Sequence, residues 1–355
     1  MRTLNRYIGR EVLKGSAFAA VVLLAVLNFF TFADELRDLG QGNYGLGSIF
    51  LYLTLSSPHS MYELIPSAAL IGSLVTLGNL ANARELVAMQ AAGVSRGRII
   101  AAVLRAGLLL SLASVLIGEY VAPPAERAAQ MLKASELKQQ VASQTRYGFW
   151  VRDGNVFVNI RELHKPEQLG DIHIFELDGN GHLTLAVKAR QAVYEGTVWK
   201  LLDIGQTRFR GMDGAVAEHK ERENWSSVLS PDLLNVFVVR PENLSAYELY
   251  RYLLYQMENA QKSLAVEQAF WARLINPIVT LAMLLLAIPF VLDSRREVSI
   301  GQRIVIGVTI GLGFYLLNRM VSHLGLVYEL NALATVALPP LSMLLAGWVA
   351  NHRRV

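Results

Sequence analysis

The sequence contains no cysteine. Disulfides and thiolate metal sites are therefore excluded. Charge is scarce too: 17% of the 355 residues are Asp, Glu, Lys or Arg, while 53% are hydrophobic. A soluble domain carries about 25% charged residues, so this balance fits a chain partly solvated by lipid. No Walker A pattern occurs, which excludes ATP binding through a P-loop. The seven His are scattered, with no H-E-x-x-H or other ligand spacing. The net charge is +4, but Lys and Arg recur at the ends of apolar runs instead of pooling in one patch. That pattern argues against nucleic acid and for membrane topology.

What the sequence does contain is six apolar runs, about 12–33, 61–81, 99–121, 274–292, 303–321 and 333–350. Each is near the ~20 residues a helix needs to cross about 30 Å of hydrocarbon. The first is not a signal peptide, because Asp34, Glu35, Arg37 and Asp38 follow it in place of a small-residue cleavage site. Basic residues mark the N-terminal segment (Arg2, Arg6, Arg10, Lys14), the second loop (Arg84, Arg96, Arg98), the fourth (Arg295, Arg296, Arg303) and the tail (Arg353, Arg354). The positive-inside rule puts these in the cytoplasm and the long third loop, about 123–273, outside. Arg2, Arg6 and Arg10 share one face of a short interfacial helix entering the first span.

The third loop changes period. "YGFWVRDGNVFVNIREL" (147–163), "DIHIFELDGNGHLTLAVKA" (171–189) and "AVYEGTVWKLLDIGQTRFR" (192–210) are extended halves around Asp153-Gly154-Asn155, Asp178-Gly179-Asn180-Gly181 and Glu195-Gly196. These are hairpin signals. They predict an antiparallel sandwich or open barrel with one apolar face, a filled core or a lined groove, with the residues alone favouring a core. Helical connectors flank it, and Ser245-x-x-Glu248 in the second has capping-box spacing. The resulting organisation is 1–122 with three spans and a cytoplasmic helix at about 84–93, a connector 123–144, a β-region 145–240, a connector 241–273, and three spans in 274–355.

Few motifs carry chemistry. "GVSRG" (93–97) matches G-x-S-x-G, but a helix precedes Ser95 where a nucleophile elbow needs a strand. Gly93 reads instead as a helix C-cap. Gly307 and Gly311 form G-x-x-x-G in the fifth span, a spacing for close helix packing or for a moving gate contact. Arg105, Glu119 and Arg319 lie near span ends, where snorkelling competes with function. Asn28, Asn276 and Asn318 are candidate interhelical hydrogen-bond partners. The polar stretch "NARELVAMQAAGVSRGRI" (82–99) interrupts two apolar runs yet reads as a short helix. Glu85 occupies its first turn, and Arg96 and Arg98 follow its end, as the helix dipole favours. Leu86, Met89 and Gly93 fall near one face. So short a helix needs a partner surface: it is either a structured loop or a part that docks into an ATPase.

Here the chain resembles the LptF/LptG permease family, the transmembrane subunits of the lipopolysaccharide-export ABC transporter, and is more similar to its LptG branch. The resemblance runs through "LNRYIGRE" (4–11), "ADELRDLGQGNYG" (33–45), "ELVAMQAAGVSR" (85–96), "GEYVAPPAE" (118–126), "GFWVRDGNVFV" (148–158) and "VWKL" (198–201), in order, with the span layout matching to the C-terminus. It implies a helical membrane bundle of six transmembrane helices with an inserted periplasmic all-β jellyroll, in a Gram-negative inner membrane. It implies a heterodimer with an LptF-like permease on two copies of the ATPase LptB, and LptC leading to an LptA bridge. It implies no cofactor in this chain, with ATP and Mg in the ATPase. Glu85 then takes the family's coupling carboxylate position. Lipopolysaccharide enters from the outer leaflet at openings formed by the first and fifth spans and passes into the jellyrolls. The resemblance also tips the apolar β-face towards an acyl-chain groove. The family tends to place basic residues at the outer end of the first span for lipid phosphates. Here Arg37 stands there among Asp34, Glu35 and Asp38, with Arg127, Lys133 and Arg319 as further candidates. The competing readings are a membrane-anchored adaptor presenting a periplasmic β-domain, and a lipoprotein-extracting permease, a type that usually has four spans.

Overall fold

The computed structural model describes residues 2–137, 149–165, 167–196, 198–209, 214–225, 240–259, 261–292 and 299–352. Arg295, Arg296, Arg353, Arg354, the end of the first connector and the end of the β-region lie outside these described residues. The chain runs α1 (Arg2–Glu35), α2 (Leu46–Asn82), α3 (Glu85–Ala91), α4 (Arg96–Leu116), a π-helical turn Ile117–Val121 and α5 (Ala122–Glu136). Six strands follow: β1 (Phe149–Asp153), β2 (Val156–Lys165), β3 (Gln168–Leu177), β4 (Leu183–Glu195), β5 (Val198–Phe209) and β6 (Ala215–Trp225). A 3-10 turn Pro241–Asn243 leads to α6 (Ala246–Glu258), α7 (Leu264–Leu292), α8 (Ile300–Val327) and α9 (Ala332–His352). Among the described residues, six helical stretches are long and apolar enough to cross a membrane.

The expected interfacial segment and first span are one helix, α1. The second span starts far earlier than its apolar run, because α2 passes through Pro58. Proline removes one backbone donor there, and the hydroxyls of Thr54 and Ser57 bond back to the carbonyls of Phe50 and Leu53 in the same stretch. The fourth span likewise starts at Leu264, so the second connector is a separate α6 plus the first turns of α7. Its capping box forms: Ser245 N donates to Glu248 Oε2 at 2.9 Å, and Glu248 N to Ser245 Oγ at 3.2 Å.

The bundle core joins Ile8 and Val12 of α1, Leu70, Leu74 and Leu77 of α2, Ile99 and Val103 of α4, and Met283, Leu284 and Ile288 of α7. Lipid tails are as apolar as these side chains, so association rests on close packing more than on escape from water. Small residues supply the closeness. Gly15 and Gly72 bring α1 onto α2, and Gly107 accepts Leu284 of α7.

The β-region is one antiparallel sheet in sequential order β1 to β6. All three expected hairpins form, at 153–156, 177–183 and 195–198. One face buries Val158, Ile160, Ile172, Ile174, Ala189, Trp199, Leu201 and Ile204. Tyr255 of α6 packs on that face and donates its hydroxyl to the Arg152 carbonyl. Burial pushes that hydroxyl's pKa up to about 12. Asn259 accepts from Gly154 N at 3.0 Å, fixing α6 to the β1–β2 turn. The alternation does not keep step along the strands. Inward positions jump by three at Leu169 to Ile172, Ala189 to Ala192 and Leu201 to Ile204. The jump follows one row across the sheet, where Asp171 (φ 42°) and Asp203 (φ 55°) adopt left-handed backbone and the ladder pairs are missing. Asp is among the few residues that tolerate this conformation.

Candidate functional site

The knuckle between α2 and α4 is built by a sharp reversal. α2 ends at Asn82, and Arg84 adopts φ 59°, which turns the chain into α3. Gly93 at φ +88° closes α3: its N–H reaches the Gln90 carbonyl at 2.9 Å, and Val94 N–H reaches Met89 at 3.0 Å. This is a Schellman cap. A helix precedes Ser95 and α4 follows it, so "GVSRG" is a helix boundary. Leu86, 3% exposed, belongs to the bundle core, and Met89 packs against it. Gly93 is exposed, Glu85 partly so, and Val87, 63% exposed, faces away from the bundle. Val87 was missed by the sequence reading. With Leu86 turned inward, its neighbour about 100° further round must face out. Glu85 Oε2 accepts the Tyr7 hydroxyl at 2.9 Å, tying α3 to α1.

At the opposite end the four candidate cations meet different partners. Arg37 lies 3.5 Å from Asp34, and both are well exposed. Lys133 stands 2.8 Å from Glu35 and 3.1 Å from Asp38, clamping α5 to the end of α1. Tyr44 also donates to Glu35, at 2.8 Å, and burial together with this bond raises its hydroxyl pKa. Arg127 pairs with Glu248, joining α5 to α6. Arg319 lines a 440 Å³ cavity with His59, Tyr62, Glu63, Arg273 and His323. His59 is 3.6 Å from Glu63 in that wall. Arg37 and Lys133 thus share a neighbourhood through the Asp34–Asp38 turn, whereas Arg127 and Arg319 belong to other contacts.

Arg273 and the π-turn were not singled out from sequence. Arg273, 7% exposed, stacks over Tyr62 at 4.5 Å and donates to the carbonyls of Gly118 and Glu242, each at 3.1 Å. A π-turn leaves its carbonyls out of α-helical register, and Arg273 satisfies one of them. Glu119, on the same turn, accepts from Ala246 N at 2.9 Å, where a carboxylate suits the start of α6. Arg273 stands immediately before the apolar run 274–292 and so looks like an ordinary flank. Asn28 does bond across helices, to Ser57 Oγ at 3.0 Å. Gly307 and Gly311 face α2, where a Cβ on Gly307 would lie 2.9 Å from Ile71 Cγ1 and one on Gly311 3.5 Å from Ser67 Oγ. Among the described residues no group of three His, Asp or Glu can hold a metal ion.

The spans differ in how far this chain covers them. Of the most apolar window, 67% is buried in α2, but 17% in α1 and 11% in α8. Phe18, Phe29 and Phe30 on α1 and Leu312, Tyr315 and Leu316 on α8 are exposed.

The chain as a whole is similar to known proteins. A family model for the lipopolysaccharide export system permease LptF/LptG matches residues 6–353. The chain is 32% identical over 357 residues to the lipopolysaccharide export system permease protein LptG of Haemophilus influenzae, covering 100% of this chain and 99% of that protein. It is 31% identical over 353 residues to the protein of the same name from Escherichia coli K12, covering 99% and 98%. With six apolar helices and an inserted antiparallel β-sheet, this multi-pass membrane protein belongs to the lipopolysaccharide export system permease LptF/LptG family.

Proposed function

We propose that this chain is the LptG-type permease subunit of an inner-membrane ABC transporter that extracts lipopolysaccharide from the outer leaflet. It has no active site of its own. ATP, with its Mg, is hydrolysed in a separate ATPase, LptB in two copies, which α3 meets through Glu85 and Val87. An LptF-like permease completes the membrane core, with α1 and α8 of this chain forming one side of each lateral opening. The β-domain is periplasmic, both termini are cytoplasmic, and lipid passes on to LptC and the LptA bridge. The observation that carries this reading is the uneven burial of the spans. α1 and α8 keep long apolar faces that this chain leaves uncovered, as helices that meet a partner and a lipid require.

Two features refine it. The apolar β-face is largely buried by its own sheet and α6, so a lipid groove there requires movement of α6 or of the sheet. Arg37, whose carboxylate partner is exposed, is the outer cation a lipid phosphate reaches most easily. Native mass spectrometry after gentle extraction tests the reading. A particle with two ATPase copies, one homologous permease and bound lipopolysaccharide is the expected result. A lone chain, or one bound only to a periplasmic protein, would favour the adaptor.

A further inference from the structure

One buried cation takes no part in the contacts above. Arg303 lies in the first turns of α8, near the expected cytoplasmic membrane face, where a snorkelling side chain would reach for water. It does the opposite and is 4% exposed. Its guanidinium lies against Gly78 of α2, where any Cβ would overlap it. Nη2 donates to Asn82 Oδ1 at 2.8 Å, and Nη1 is buried without an acceptor among the described residues. Asn82 is the last residue of α2, three before Glu85. Above this point α8 meets α2 through Gly307 and Gly311, smooth surfaces that permit sliding. The guanidinium is the polar link from α8 to the α2–α3 corner.

We infer that Arg303 is a positioning residue that carries displacement of the α3 knuckle to α8, through the Arg303–Asn82 hydrogen bond at Gly78. The inference rests on the proposed coupling role of α3. A push on α3 turns the strained corner at Arg84 and moves Asn82. The guanidinium follows because it is confined by Gly78 and bonded to the moving residue. The unmet Nη1 makes the present seat incomplete, so a shifted corner that offers a second acceptor holds α8 in a second place. Two discrete seats are what a switching element needs. The Tyr7–Glu85 bond links the same knuckle to α1, so both expected gate spans are wired to it.

The absence of cysteine makes the test direct. Spin labels attach at Leu109→Cys on α4 and Leu316→Cys on α8, both exposed sites. In the reconstituted complex with ATPase and partner permease, one measures ATP hydrolysis, lipopolysaccharide release and the 109–316 distance with and without trapped nucleotide. Arg303→Met is expected to assemble and hydrolyse ATP near the wild-type rate, yet release about fivefold less lipid per ATP, the low end of typical coupling effects. Its 109–316 distance should no longer respond to nucleotide. Unchanged release per ATP, or hydrolysis and release falling in proportion, would overturn the inference. Glu85→Ala separates the two layers. If it alters neither hydrolysis nor release, the coupling role of α3 falls; if it uncouples while Arg303→Met does not, only the role of Arg303 falls. Should Arg303→Met fail to assemble, Gly78→Ala expels the guanidinium without deleting it, and is held to the same fivefold loss.

Discussion

The contact between α1 and α2 makes the sharpest stability prediction. Gly72 of α2 faces the backbone of Gly15 and Ser16 on α1, and a Cβ built there overlaps main-chain atoms of both. In the reverse direction, a Cβ on Gly15 would lie 2.8 Å from the Gly72 carbonyl oxygen. Side chains yield to such crowding by changing rotamer, but helix backbones cannot. Gly72→Ala therefore forces the helices apart by roughly 1 Å before ordinary contact near 3.5–4.0 Å is restored. The packed neighbours Ala19, Ala20, Ala68 and Ile71 lose contact together. Overpacking of this kind costs about 2 kcal/mol, which lowers the melting temperature of a chain this size by ~3 °C. Gly47→Ala, on the same helix with no atom within 4 Å, is the control. It should be neutral or stabilise by up to ~1 kcal/mol through helix propensity. The assay is thermal unfolding of both variants, purified in detergent and followed by tryptophan fluorescence. A Gly72→Ala protein that melts with the wild type, or two variants that fall equally, would refute the reasoning.

Other perturbations read the β-domain and the outer charges. Trp199 is fully buried, so Trp199→Ala should destabilise the sheet by about 3–5 kcal/mol, seen as protease cleavage within 149–225 while the helices stay resistant. Burial alone would raise the Asp171 carboxyl, but His173, Lys188 and Arg161 outweigh it and hold it below its ordinary value. A depressed folded pKa gives stabilisation that is complete above the unfolded value of about 4 and fades as pH falls through the folded one. Acid unfolding of the sheet should therefore steepen below pH ~4. Asp171→Asn, which keeps a side chain that tolerates positive φ, should flatten that limb. Lys133→Met strands the buried Glu35 and should lower stability by about 2 kcal/mol, whereas Arg37→Glu should leave melting unchanged and weaken lipopolysaccharide binding. A normal lipid affinity for the Arg37 variant would remove it from the headgroup contact.

The spans were legible because a bilayer demands long apolar runs, and the hairpins because Asp-Gly and Glu-Gly pairs mark tight turns between apolar strands. The capping box at Ser245 and the C-cap at Gly93 were legible for the same local reason. Helix length was not. Pro58 and the polar pair His59–Ser60 look like a break, and nothing local reveals that α2 continues through them. The sheet hides its phase shift in spacings of three, such as Leu201 to Ile204, which a strict period of two discards. The site was legible only where it is local. Glu85 and Gly93 announce a short helix, but the partners of Lys133, Arg127 and Arg303 lie about a hundred residues away or more, so no spacing shows which cations already have partners.

The two ends of the bundle are held differently, and the difference bears on which span moves. At the end away from the knuckle, α1 is clamped to α5 by Lys133 between Glu35 and Asp38, α5 to α6 by Arg127–Glu248, and α4, α6 and α7 to one another by Glu119 and Arg273. These are partly or wholly buried charge contacts, costly to break once formed. α6 is in turn bonded to the β1–β2 turn, so the root of the β-domain travels with α4, α5 and α7. No ion pair ties α8 to this frame among the described residues. It leans on α2 through glycines, is bonded to it beside the knuckle through Arg303, and meets α7 near its other end through Gln268 Nε2, which donates to the Ser322 carbonyl at 3.3 Å. A helix held at its ends by one guanidinium contact and one neutral hydrogen bond, with glycines between, is less firmly fixed than one clamped by buried charge pairs. The guanidinium contact is made with Asn82, three residues before Glu85 of the knuckle, and the 28 residues of α8 run from there towards the cavity that Arg319 lines. α1, pinned at both ends by Tyr7–Glu85 and Lys133–Glu35, can only bend or shift with the frame. On the proposed function, this asymmetry predicts that the fifth span moves further than the first.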